Sequence, residues 1–283
     1  MFTLHWQPPY DWTWMFSFLR ARAVDGIETF SGNSFTRSMV VDGYRGLLTL
    51  TPVEQNHTLK VELTDGLMPV ADECLQRIER LLDLNCDPHC IARALGPLAS
   101  ARPGLRLPGS VDAFEQGIRA ILGQLVSVAM AAKLTGNVVT AYGEPLAEAP
   151  EYYTFPGPEV LAAADPQRLR SLGMSLKRAQ AIIHLAQVAH AGEFPLRAPA
   201  DVALGVKMLQ TYPGIGRWTA NYFALHGWQA TDIFLPDDYA IKQRFTGMTP
   251  AQIRRYAERW QPWRSYAVLH IWFTKDWQPE PVN

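Results

Sequence analysis

Tyr212-Pro213-Gly214-Ile215-Gly216-Arg217-Trp218-Thr219-Ala220-Asn221 joins a tight turn to the start of a helix. Pro213-Gly214 reads as the turn, because proline presets φ and glycine takes positive φ without steric cost. Two glycines around one aliphatic residue leave the amides of residues 214 to 219 uncovered by side chains, at the start of a helix that continues through Tyr222, Phe223 and Leu225. Unpaired amides and the positive end of the helix dipole suit an anion. Just upstream, Val202, Val206 and Leu209 recur at helical spacing. The unit therefore reads helix, hairpin, helix, with a nucleic-acid phosphate as its natural ligand.

Outward from the hairpin, the helical pattern extends in both directions. Toward the C-terminus, helices are expected from about Asp238 to Phe245, from a Thr249 cap with Pro250 in the first turn to Trp260, and from Pro262 to Phe273. Toward the N-terminus, Asp112 and Glu115 form a capping-box pattern before a helix from Ala113 to about Ile121, and Ser127 can cap another from Val128 to Tyr142. Gly123-Gln124-Leu125-Val126 lies between them. Further helices are expected over Pro158–Ala163, Pro166–Leu172 and Leu176–Ala191.

The first 88 residues differ. Asp11 can cap a helix through Ala23, and strands Phe35–Val41 and Tyr44–Leu50 flank Asp42-Gly43, a strong hairpin signal. Thr58–Leu63 reads as a third strand, and Pro69 begins a helix to about Leu82. Pro88, Gly96-Pro97, Arg102-Pro103-Gly104 and Pro108-Gly109 punctuate a connecting region. The fold class is thus α+β: an N-terminal antiparallel sheet with helices over 1–88, a connector over 89–112, and a helical core. That core divides into 113–230, holding the helix-hairpin-helix at about 202–226, and a C-terminal helical part over 231–283.

A chain of 283 residues with 48% hydrophobic content can bury cores for two or three packed units. No apolar run approaches a membrane span, and Met1-Phe2-Thr3-Leu4-His5-Trp6 lacks the order of a signal peptide, so a cytoplasmic location is expected. Cys74, Cys86 and Cys90 suggest reduced thiols. Cys86, His89 and Cys90 are close together, but the fourth ligand and second ligand pair of a zinc site are missing. The net charge of −1 hides a segregation: residues 1 to 88 hold 7 basic against 12 acidic side chains, whereas residues 205 to 264 hold 8 against 4. The basic excess coincides with the hairpin, as DNA binding requires. His-Glu-x-x-His, a phosphate loop ending in Gly-Lys-Ser/Thr, and Gly-x-Ser-x-Gly are all absent. His184, His226 and His270 lie in expected helices with no partner motif and read as packed or surface residues.

Leu209, Pro213-Gly214-Ile215-Gly216, Thr219-Ala220, the downstream Pro236-Asp237-Asp238-Tyr239 and the run Pro262-Trp263-Arg264-Ser265-Tyr266-Ala267 together resemble the signature of the helix-hairpin-helix DNA glycosylases. With Trp6-Gln7-Pro8-Pro9-Tyr10-Asp11-Trp12, the resemblance to the alkylation-repair members covers nearly the whole chain. It implies a monofunctional enzyme that flips alkylated bases such as 3-methyladenine and 7-methylguanine from duplex DNA, hydrolyses the N-glycosidic bond and leaves an abasic site. Relatives that also cut the strand carry a lysine two residues after the second hairpin glycine. Here that residue is Trp218, so no amine nucleophile is supplied at that position. The four-cysteine iron-sulfur loop of some relatives is also missing.

The resemblance assigns catalysis to Asp238, leaving Asp237 as a structural helix cap, although either aspartate suits a cap by itself. Trp218, Tyr222, Tyr239 and Trp272, with Phe18 from the first domain, match the pocket for the extruded base. The residues alone leave Trp218 and Tyr222, one helical turn apart, equally readable as core. Gln124 and Leu125 match the DNA-contacting wedge position, and Gly214, Gly216 and Thr219 the phosphate grip. Carbonyls of Gln210, Tyr212 and Ile215 are implied ligands of a structural Na+ or K+, with no cofactor for catalysis. The expected partner is double-stranded DNA carrying alkylated bases, met by a monomer without membrane contact. The alternative reading is a non-catalytic hairpin module that binds damaged or bent DNA, which gives Asp238 and the aromatic group no task.

Overall fold

A computed structural model describes residues 1–280; the last three positions of the expected C-terminal part lie outside the described residues. The N-terminal part runs β1 (Phe2–His5), α1 (Trp12–Ala21), β2 (Glu28–Ser31), β3 (Ser34–Val41), β4 (Tyr44–Val53), β5 (Thr58–Leu63) and α2 (Ala71–Leu82). Its strands form one antiparallel sheet in the order β1-β5-β4-β3-β2. Asp42 and Gly43 both take positive φ, 49° and 83°, as a two-residue hairpin that follows the strand twist requires. Val41 therefore pairs with Tyr44. Along β4, Gly46, Leu48, Leu50 and Pro52 are buried in alternation, so one sheet face is core. Trp12, Met15, Phe16 and Phe18 of α1 contribute to the same core.

The edge strands β1 and β2 fall outside the sequence expectation, being only four residues long. The connector is also more ordered than expected: α3 (Pro88–Leu95) and α4 (Pro97–Ser100) occupy much of it. Pro88 and Pro97 begin these helices rather than interrupting them, since a helix's first turn needs no proline N–H.

The remaining elements are α5 (Ala113–Leu122), α6 (Val128–Tyr142), the short hairpin β6 (Pro145–Leu146) and β7 (Ala149–Tyr153), α7 (Pro158–Ala162), α8 (Pro166–Ser171), α9 (Leu176–His190), α10 (Val202–Leu209), α11 (Arg217–His226), α12 (Tyr239–Arg244), α13 (Pro250–Ala257) and α14 (Arg264–Phe273). The β6–β7 hairpin was also not expected. Thr249 and Gln252 form a reciprocal capping box at α13.

At α5 only half of the expected box exists. Asp112 accepts from the Glu115 amide at 2.8 Å, but the Glu115 carboxylate is turned away to Arg37 of β3 at 2.9 Å and to Arg119 at 2.6 Å. Glu28 of β2 completes a buried four-charge group, 3.0 Å from each arginine. Burial pushes the Glu115 carboxyl up, but the guanidinium groups of Arg37 and Arg119 outweigh it and hold the group below the usual carboxylate range. This network fixes the sheet against the helical core.

A second buried junction fixes the chain before α1. Arg106, fully buried, donates to the carbonyls of Pro9 at 3.0 Å, Asp83 at 3.3 Å and Gln7, and lies 4.6 Å over the Tyr10 ring. Asp11 then caps α1 through the Trp14 amide at 2.8 Å. Phe18 and Arg22, at the far end of that helix, are aimed accordingly.

Candidate active site

The hairpin follows from local chemistry. Gly214 takes φ +80°, and a Cβ there would stand 2.6 Å from the Ala181 Cβ of α9, so both conformation and space require glycine. Gly216 is extended at φ −84° and begins α11 with no side-chain cap. Among the described residues, the amides of Gly214, Gly216, Arg217, Trp218 and Thr219 find no hydrogen-bond acceptor. These donors are free to meet an anion, as the sequence leads one to expect. The Gln210 and Ile215 carbonyls likewise accept no hydrogen bond, whereas the Tyr212 carbonyl accepts the Ile215 amide at 3.1 Å. Two of the three carbonyls expected to hold a monovalent cation are thus free to do so.

Between α5 and α6, Leu125 is wholly exposed, at 104%, and takes φ +55°. A left-handed conformation costs a leucine roughly 1–2 kcal/mol. A fully exposed side chain on a strained backbone is a poor core residue and fits the expected wedge. Gln124 is differently engaged: its Nε2 donates to the Gly214 carbonyl at 2.8 Å and to Thr219 Oγ1 at 3.0 Å. Its side chain holds the wedge turn to the hairpin.

A cavity of about 420 Å³ opens beside α11. Trp218, Tyr222 and Trp272 line it, with Phe18 and His226 behind them. Trp218 and Tyr222 stack at 4.8 Å with planes 13° apart. The cavity ends at the Glu28, Arg37, Glu115 and Arg119 group. No lysine lines it. Tyr239 is not brought there: it is 78% exposed in the first turn of α12 and outside the cavity wall. Adjacency to Asp238 in sequence did not determine which way the ring points.

Asp238 itself caps α12. Its Oδ1 accepts from the Ala240 and Ile241 amides at 3.0 and 3.1 Å and from Trp272 Nε1 at 3.0 Å, while Oδ2 accepts from Trp218 Nε1 at 3.1 Å. The expected cap is therefore misplaced by one residue, while Asp238 keeps a carboxylate oxygen toward Trp218. Asp237 is not the cap; its carboxylate pairs with Arg217 instead. The segment that leads to Asp238 is held to α14, whose Ser265 Oγ donates to the Ala230 carbonyl and accepts from the Ile233 amide at 2.9 Å. Arg264 grips Asp232 through two bonds, 2.6 and 2.9 Å. Since α14 also carries Trp272, one helix sets both the carboxylate and one of its indole donors.

Two cavity-lining residues escaped the sequence reading. The Arg22 guanidinium lies 3.6 Å over the Phe18 ring and donates to the Phe18 carbonyl at 3.2 Å, so one face of that expected base-contacting ring is already covered. His226 was assigned only to packing. It is indeed buried, with Nδ1 donating to the Pro108 carbonyl at 2.7 Å, but it also borders the cavity. Burial holds its pKa down to about 4, with Arg22 acting in the same direction against the Pro108 hydrogen bond. The imidazole is thus a neutral wall. Neither residue belongs to a recognisable sequence motif, and only the packing of α1 against α11 reveals them. Among the described residues no cluster of His, Cys, Asp or Glu is arranged to hold a metal ion, and no helix is long and apolar enough to cross a membrane.

Comparison with known proteins agrees with this geometry. Residues 1–112 match the AlkA N-terminal domain, and residues 118–264 match the HhH-GPD superfamily base excision DNA repair protein. The chain is 65% identical to DNA-3-methyladenine glycosylase 2 of Escherichia coli (strain K12), over 99% of each chain. It is 33% identical to a probable bifunctional transcriptional activator/DNA repair enzyme AlkA of Mycobacterium tuberculosis, over 97% of this chain and 56% of that one. In fold it is similar to a solved 3-methyladenine DNA-glycosylase from Archaeoglobus fulgidus, with a TM-score of 0.80 at 21% identity, covering 96% of this chain and 97% of that one. A hairpin with free backbone amides, a fully exposed Leu125 and a carboxylate between two indoles thus stand in a chain that belongs to the HhH-GPD superfamily of base excision DNA repair proteins.

Proposed function

We propose that this protein is a monofunctional DNA glycosylase that removes alkylated bases from duplex DNA by hydrolysing the N-glycosidic bond. The observation that carries this reading is the Asp238 carboxylate, held by the N–H groups of Trp218 and Trp272 at 3.1 and 3.0 Å, both indoles lining the cavity. A DNA-binding module without chemistry has no use for that arrangement.

The target bond is hidden in the duplex, so the nucleotide must rotate out, at a cost of about a few kcal/mol that is smaller for a poorly paired lesion. Leu125 fills the vacated space, and the hairpin amides hold a backbone phosphate to fix register. An alkylated purine such as 3-methyladenine or 7-methylguanine is cationic, and the faces of Trp218, Tyr222 and Trp272 attract it by roughly 2 kcal/mol when water is excluded. Such attraction selects for charge more than for hydrogen-bond pattern, which favours a broad range of lesions.

A cationic base leaves with little acid assistance, while the deoxyribose becomes oxocarbenium-like. The Asp238 carboxylate stabilises that developing positive charge and orients the attacking water. The product is a free base and an abasic site on an intact strand, because no lysine is supplied to attack the sugar. The carbonyls of Gln210, Tyr212 and Ile215 hold a Na+ or K+ that bridges hairpin and phosphate; catalysis uses no cofactor. The enzyme works as a cytoplasmic monomer.

Asp238→Asn tests this reading. Asparagine caps a helix about as well as aspartate, so α12 should persist and stability should change little. Base release should fall by about a hundredfold or more, with duplex affinity retained. Release at the normal rate by this variant would refute the assignment.

A further inference from the structure

The hairpin and the Leu125 turn are joined side by side, and both rest on α9. Gln124 Nε2 reaches the hairpin at the Gly214 carbonyl, 2.8 Å, and at Thr219 Oγ1, 3.0 Å. The backbone carbonyl of the same Gln124 accepts from Arg178 Nη2 at 2.5 Å. Arg178 stands in the first turn of α9, which is capped by Ser175. One turn further on, Ala181 packs beneath Gly214. The next residue after Gln124 is Leu125, strained at φ +55° and fully exposed. Among the described residues, Arg178 is the one side chain that holds the backbone of residues 124–126 from outside the turn.

We infer that Arg178, acting through Gln124, is a positioning residue that couples the hairpin's hold on phosphate to the insertion of Leu125. This rests on the reading of the site as a base-flipping glycosylase. The unpaired hairpin amides surround the same Gly214 and Thr219 that Gln124 bridges, so a phosphate seated there stiffens the contact that supports Leu125. The guanidinium fixes the other end of the peptide. A leucine in a left-handed conformation relaxes toward negative φ once its turn is released, and the wedge then no longer points outward. Nothing in this chain of contacts touches the base or the reacting atoms.

Arg178→Met and Arg178→Lys separate the possibilities. Single-turnover base release would be measured on two duplexes carrying 7-methylguanine, one opposite cytosine and one opposite an abasic site, where the lesion starts unpaired and extrusion is cheap. A 2-aminopurine beside the lesion reports unstacking. Arg178→Met should release base about tenfold more slowly from the paired duplex, with a matching loss of 2-aminopurine signal, and at the normal rate from the unpaired one. Arg178→Lys, which can still donate to the Gln124 carbonyl, should recover most of the paired-duplex rate. Should Arg178→Met fold poorly, Arg178→Ala removes the same donor to the Gln124 carbonyl in a good helix former and should show the same contrast. Normal flipping by Arg178→Met, or an equal loss on both duplexes, would overturn the inference. Absence of base release by the unaltered protein from either duplex would instead overturn the glycosylase reading on which it depends.

Discussion

Replacing Trp218 by phenylalanine separates the two tasks that the structure gives this residue. Among the described residues its indole N–H is the sole donor to Asp238 Oδ2, at 3.1 Å, whereas Oδ1 keeps three donors, from Ala240, Ile241 and Trp272. Phenylalanine retains an aromatic face against Tyr222 and loses that donor. A hydrogen bond to a charged group is worth about 1.5–3 kcal/mol when buried. Trp218 is 37% exposed, so water replaces part of the loss and about 1 kcal/mol remains, roughly a fivefold slower single-turnover rate. Trp272→Phe leaves Oδ1 with two amide donors and should cost about twofold or less through this contact. Trp218→Ala removes the face as well, with a further loss of about 1–2 kcal/mol that falls on cationic 7-methylguanine and spares a neutral lesion. Rates at saturating enzyme on duplexes carrying each lesion give all these values. A Trp218→Phe rate equal to the unaltered protein's would refute the orienting role of the indole. An extra alanine loss equal for charged and neutral lesions would refute the cation-π account.

Other expectations rest on different parts of the molecule. Gly214→Ala must adopt φ +80° with its Cβ 2.6 Å from Ala181, whereas a Cβ at Gly216 meets nothing within 4 Å. Thermal melting should therefore drop for Gly214→Ala, by strain of at least about 1–2 kcal/mol, and stay near normal for Gly216→Ala; equal melting would contradict the packing described. Glu115→Gln leaves Arg37 and Arg119 sharing only Glu28, and urea denaturation should show a loss of about 3 kcal/mol. A loss below about 1 kcal/mol would mean the four-charge group contributes little beyond a surface pair. The pH dependence follows from three buried groups: burial holds His226 and His270 down to about 4 and pushes Asp83 up to about 6. Between pH 6.5 and 4 the unfolded chain takes up two histidine protons that the native state refuses, each worth about 3 kcal/mol, so stability is lost as pH falls. Asp83 works the other way, since the native state binds its proton first, returning about 3 kcal/mol over the same range. The net is a loss of about 3 kcal/mol between pH 6.5 and 4, steeper in Asp83→Asn, and a flat urea-midpoint profile over that interval would contradict the neutral buried histidines.

The hairpin was legible because its chemistry is local: Pro213-Gly214 dictates a turn, and two small residues uncover the amides. The Asp42-Gly43 hairpin was legible for the same reason. The exposure of Leu125 was suggested only through the resemblance, because a leucine in helical surroundings carries no mark of it until its φ is known. What depends on tertiary packing was misread. Glu115 sits where a capping partner would, yet an arginine from β3, distant in sequence, captures its carboxylate. Asp237 and Asp238 are chemically equal neighbours, and only the positions of Trp218, Trp272 and Arg217 separate their roles. Tyr239 was placed in the pocket by the resemblance, but in the first turn of α12 its ring is exposed and outside the cavity wall. The strands β1 and β2 are too short to establish a period, and Pro88 and Pro97 look like breaks until their helices are seen to start on them.

The cavity, the two indoles and Asp238 are proposed to form a site for hydrolysing the bond between an alkylated base and deoxyribose. Mass analysis of both products, after incubation with a duplex carrying 3-methyladenine, tests it most directly. Hydrolysis at this site should give free 3-methyladenine in solution and a full-length strand whose abasic site breaks only on treatment with alkali. Tight duplex binding with no free base, or a strand already cut and trapped on the protein by borohydride, would contradict it.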